Sequence, residues 1–65
     1  MTPLNSSNLA AYDYDPDSRM LTIRFVSGRT YAYRDVPADI ADGLSTANSP
    51  GQFFNSNIKN TFAQG

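Results

Sequence analysis

The sequence predicts an α+β fold: a three-stranded antiparallel β-meander followed by two helices packed on one face of the sheet. Three observations predict it. Runs ending at Tyr14, Phe25 and Arg34 alternate apolar and polar residues with a period of two, as half-buried strands do. Turn-forming residues, Asp15-Pro16-Asp17-Ser18 and Val26-Ser27-Gly28, separate those runs. From Val36 onward the apolar spacing changes to three and four residues, the helical period.

Residues 1–7 are small and polar and read as a loose lead-in to a domain spanning residues 8–62, with residues 63–65 as a tail. In the first strand Tyr12 and Tyr14 alternate with Ala11 and Asp13. A four-residue Asp15–Ser18 loop sets Tyr12 opposite Leu21. The second strand shows Leu21, Ile23 and Phe25 on one face and Met20, Thr22 and Arg24 on the other. A two-residue loop to the third strand would turn its tyrosines away from that apolar face. A three-residue loop with Gly28 in the left-handed conformation instead pairs Ile23 with Tyr31 and Leu21 with Tyr33.

The first helix is expected from Pro37, a residue favoured at the first helical position. Val36, Ile40, Leu44 and Ala47 form its apolar stripe, and Asp39 and Asp42 complement the helix dipole. Gly43 weakens it by up to ~1 kcal/mol relative to alanine and leaves room for a strand to come close. Ser49 reads as the N-cap of a second helix, with Pro50 after it and Phe54, Ile58 and Phe62 repeating every four residues.

A chain of 65 residues holds one domain, and a domain of this size buries only roughly 60% of the surface its unfolded chain exposes. Cysteine and histidine are both absent, which excludes disulfides, thiolate metal sites and the commonest general base. By elimination a homo-oligomer is the expected supplement to the small core. No activated nucleophile, phosphate loop or separated carboxylate pair is visible, so neither catalysis nor a cofactor is expected. Asp13, Asp15 and Asp17 imitate the start of a calcium loop, but Ser18 and Arg24 stand where that loop needs glycine and glutamate. A hairpin turn accounts for the aspartates, and no metal is expected. No export signal and no membrane-spanning stretch is seen, which makes the expected location cytoplasmic.

The candidate binding residues are cationic, aromatic and amide. Arg24 and Arg34 share the outer sheet face, where guanidinium groups can hold a phosphate or carboxylate bidentately. Tyr31 and Tyr33 point inward with their hydroxyls at the rim, or stack on bases. Asn55 and Lys59 lie in the densest mixture of aromatic, amide and cationic groups, Phe53 to Lys59. Asn55 is expected to hydrogen-bond a neighbouring loop.

Ser6-Ser7-Asn8-Leu9, Tyr14-Asp15-Pro16, Leu21, Phe25, Gly28, Tyr31-Ala32-Tyr33, Val36-Pro37 and Gly51-Gln52-Phe53-Phe54-Asn55 occur in that order. This ordered set resembles the KTSC domain, a module found alone in bacteria and phages and at the C-terminus of some lysyl-tRNA synthetases. The resemblance covers about Ser6 to Phe62 and implies a compact meander with helices; the family is one of unknown function, for which RNA binding is suggested in part by the synthetase context. Net charge is −1 and the sequence pI about 4.8. A polyanion rewards many cations and a small ligand only a few. The expected function is therefore a non-catalytic, homo-oligomeric module for a small anionic or nucleotide-like ligand. The alternatives are RNA binding and a protein-interaction domain that meets a host partner through an apolar patch at Phe53 or Phe62.

Overall fold

The computed structural model describes residues 1–65. Six elements follow one another: β1 (Thr2–Pro3), β2 (Leu9–Asp15), β3 (Met20–Phe25), β4 (Thr30–Tyr33), α1 (Ala38–Thr46) and α2 (Pro50–Asn57). The sheet is antiparallel in the order β1-β2-β3-β4. It has four strands where the sequence predicts three. Residues of the supposed lead-in supply the extra one, pairing Thr2 with Tyr12 and Pro3 with Ala11. Pro3 is tolerated because β1 is an edge strand, where a missing N–H costs no ladder bond.

The second hairpin has the expected register. Leu21 faces Tyr33 and Ile23 faces Tyr31, with Gly28 at φ 95° closing the loop through its N–H to the Phe25 carbonyl at 2.9 Å. The first hairpin is shifted by two residues from expectation: Tyr14, not Tyr12, faces Leu21. Arg19 takes a left-handed φ of 59°, so the loop runs from Pro16 to Arg19 and Asp15 still pairs with Met20. The Arg19 carbonyl in turn accepts from the Val36 N–H at 3.0 Å. A shift by two preserves which face each side chain occupies, so the apolar face survives.

Ser49 caps α2 as expected, its hydroxyl accepting from the Gln52 N–H at 3.4 Å. Pro37 is the N-cap of α1 rather than its first helical residue. Gly43 admits the ring of Phe53 from α2, not a strand: a β-carbon there would stand 2.7 Å from Phe53 Cε2. Both helices cover the inner sheet face. Between them and the sheet lies a core of Leu9, Tyr12, Leu21, Ile23, Tyr33, Val36, Ala41, Leu44, Phe54 and Ile58.

The chain beyond α2 returns to the sheet. Gln64 bridges to Tyr33, and Arg34 N–H to Ala63 and Gly65 N–H to Ala32 hydrogen bonds flank that bridge at 2.9 Å each. Residues 63–65, expected as a tail, thus cover the end of β4. No helix is long and apolar enough to cross a membrane.

Candidate functional site

Where β3 and β4 meet the second half of α2, the two layers diverge and leave a cleft of about 440 Å³. Its wall is aromatic because the inward positions Phe25, Tyr31 and Tyr33 meet Phe54, which α2 presents toward the sheet. The rings pack edge to face: Phe54 lies 5.6 Å from both Phe25 and Tyr33, and Phe25 lies 5.5 Å from Tyr31. This arrangement places ring edges of one residue on the face of the next and fixes the wall's shape.

The rim is made of amides. Asn8 enters from the loop before β2, Asn55 from α2, Asn60 from the turn after it, and Gln64 from the bridge to β4. Lys59 supplies the one charge among the nine lining residues, and no carboxylate is present there. A second cation stands close by, since Arg29 Nη1 donates to the Tyr31 hydroxyl at 3.4 Å.

Tyr33 is 3% exposed. Its hydroxyl has no hydrogen-bond partner in the protein, yet it is not sealed from solvent, and Tyr33 lines this cleft. Tyr14 provides the contrast, with its hydroxyl donating to the Val36 carbonyl at 2.5 Å. The Tyr33 hydroxyl thus meets solvent at the cleft and is free to pair with a molecule that enters it.

The structure brings together four of the six residues expected at a site: Tyr31, Tyr33, Asn55 and Lys59. Arg24 and Arg34 are not among them. They are exposed on the opposite face of the sheet, because side chains alternate along a strand and the tyrosines take the inner positions. An arginine of that pair cannot share a ligand with a tyrosine edge. Asn55 does not form the expected bond to a loop; it is exposed, and the local amide bond is made instead by Asn57 Nδ2 to the Phe53 carbonyl at 3.1 Å. Asn8, Phe25, Asn60 and Gln64 were not among the expected site residues. Asn8 and Phe25 stand within the motifs of the sequence, whereas Asn60 and Gln64 carry no signal in it.

Beside this cleft lies a shallower recess of about 540 Å³ lined by polar residues, and Asn8 and Asn55 belong to both. Two of its three serine hydroxyls already have work: Ser49 caps α2, and the Ser6 hydroxyl donates to Asn8 Oδ1 at 2.7 Å and accepts from the Leu9 N–H at 3.2 Å. Phe53 and Phe62, expected as an exposed apolar patch, are partly buried against the core. The large apolar side chains left exposed are Met1 and Val26.

Fold and cleft together define a small α+β module with an aromatic recess rimmed by amides. Residues 5–62 match the KTSC domain model, and the chain belongs to the KTSC domain family. A crystal structure of a KTSC domain protein from Yersinia pestis superposes with a TM-score of 0.93 at 39% identity, covering 98% of this chain and 90% of that one. A protein of Tsukamurella paurometabola is 42% identical over 95% of this chain and 92% of its own length. A lysine–tRNA ligase of Nostoc sp. is 41% identical over 86% of this chain, a match that takes up 10% of the ligase.

Proposed function

We propose that this chain is a non-catalytic binding module whose cleft takes a small, planar, anionic ligand of nucleotide type. The unpartnered hydroxyl of the nearly buried Tyr33 carries the proposal. Around it stand the three kinds of group that such a ligand needs. Aromatic surface from Tyr31 and Phe25 suits a base. Side-chain amides both donate and accept, matching the mixed edge of a nucleobase. Lys59 and the nearby Arg29 offer charge to a phosphate.

RNA is a second candidate, favoured by one observation: the family segment recurs within lysine–tRNA ligases. The cleft holds a single charged residue, whereas a polyanion draws its affinity from many phosphate contacts.

Titration of ¹⁵N-labelled protein with each nucleoside monophosphate, and separately with a single-stranded oligoribonucleotide, tests both. The expected result is saturable shifts at Tyr31, Tyr33, Asn55 and Lys59 with a monophosphate. Tyr33→Phe should weaken binding by roughly two- to tenfold, the worth of one hydrogen bond, without lowering the melting temperature. Shifts with the oligonucleotide alone, steeply weakened by salt, would favour RNA. No shift at the cleft with any of these probes would overturn the proposal.

A further inference from the structure

We infer that the uncovered outer face of the sheet is a self-complementary surface on which a second copy of this chain docks. Both helices lie on the inner face, so the outer face has no second layer. Register maps it as a grid. Asp15 stands beside Met20, and Asp13 beside Thr22. Arg24 is one step further along β3, and Arg34 follows Tyr33 at the end of β4. The Arg34 stem and Met20 Cε flank the same point at Gly65, which shows them to be neighbours.

The face is therefore divided: exposed carboxylates on β2, exposed guanidinium groups on β3 and β4, and half-buried Met20 and Thr22 between them. Within the single chain none of the four charges lies within 4.0 Å of an opposite one. A polyanion docking here would meet Asp13 and Asp15; a basic partner would meet Arg24 and Arg34. A partner with the same division of charge suits the whole face, and a second copy has it by construction.

A two-fold axis in the interface, parallel to β3, lays Asp15 of each copy over Arg34 of the other. It also brings Met20, Thr22 and Arg24 onto their own counterparts, and the two arginines part by each turning toward Asp13 of the other copy, one strand over and one outer-face step back. This is an isologous contact, the commonest way for two identical chains to associate. At strand spacings of about 4.8 Å and rises of about 3.3 Å per residue, two such faces bury on the order of 1,000 Å². That is the lower end for a specific interface, so the dimer forms in the micromolar range or weaker and gains from low salt.

Sedimentation equilibrium from about 10 µM to about 1 mM is the test, the upper limit reaching weak interfaces of this size. Wild-type protein should shift from monomer to dimer, and Arg34→Asp or Asp15→Arg should each weaken the dimer by about tenfold or more. An equimolar mixture of those two variants should dimerise again, because both contacts between positions 15 and 34 are then opposite in sign. Asp15 also accepts from the Asp17 N–H at 3.0 Å, so Arg24→Asp mixed with Asp13→Arg repeats the test without touching that turn. Circular dichroism confirms that each variant is folded. A monomer throughout the range, a dimer indifferent to the reversals, or a mixture no stronger than its components would overturn the inference.

Discussion

Gly51→Ala sets two physical effects against each other, and the structure gives the sign. Gly51 is in the first turn of α2 and has no positive φ, so alanine there is not strained. On helix propensity alone the substitution should stabilise the protein, by at most about 1 kcal/mol. A β-carbon, however, would stand 2.5 Å from Asn8 Oδ1 and 3.3 Å from Ser6 Oγ. Asn8 must then turn away. Doing so loses the 2.7 Å bond from the Ser6 hydroxyl, worth about 1 kcal/mol, and loosens a turn that also holds the Leu9 N–H. Forcing a methyl group into a filled space costs typically ~1–3 kcal/mol. The net expectation is a loss of about 1–3 kcal/mol, and each 1 kcal/mol in a domain of this size lowers the melting temperature by roughly 4–8 °C. Thermal unfolding followed by circular dichroism measures it. Asn8→Ala removes the obstructing atom, so adding Gly51→Ala to Asn8→Ala should be neutral or stabilising. A rise in melting temperature for Gly51→Ala alone would show that the contact with Asn8 does not constrain this helix start.

Two further substitutions separate local effects that sequence alone would confuse. Tyr14→Phe removes the hydroxyl bonded to the Val36 carbonyl and should cost about 1–3 kcal/mol in chemical denaturation, because the buried carbonyl is left unpaired; Tyr33→Phe should cost almost nothing in the same assay, and equal losses would refute the distinction. Gly28→Ala meets no atom within 4 Å but sits at φ 95°. It should therefore lose roughly 1–2 kcal/mol to backbone strain alone, with Gly28→Asn losing less, and an unchanged denaturation midpoint would show that the loop reshapes freely.

How far the fold could be read from the residues depended on how local the deciding signal was. The β3–β4 register followed from Gly28 and the demand that one apolar face stay intact. The β2–β3 register did not, since Arg19 in a left-handed conformation moves the four-residue loop one position along the chain, at a residue with no preference for it, and the resulting two-residue shift in pairing leaves the polarity pattern unchanged. Thr2-Pro3 is too short to show alternation, so β1 is visible only once Ala11 and Tyr12 are in place to pair with it. For the cleft, Tyr31, Tyr33, Asn55 and Lys59 could be singled out by chemistry. That Gln64 joins them depends on the bridge to Tyr33, thirty-one positions back along the chain, and nothing in the local sequence announces a contact of that range.

That bridge also sets the order in which parts of the molecule loosen. The meander and the helix pair are closed by contacts between sequence neighbours, whereas residues 63–65 are held to β4 by a single bridge made of two backbone bonds. Short, peripheral pairings open well below the free energy of global unfolding. The amide hydrogens of Arg34 and Gly65 should therefore exchange with solvent faster than those of β3, and each opening swings Gln64 off the cleft. A ligand held by Gln64 and Lys59 would slow that exchange by keeping residues 63–65 in place.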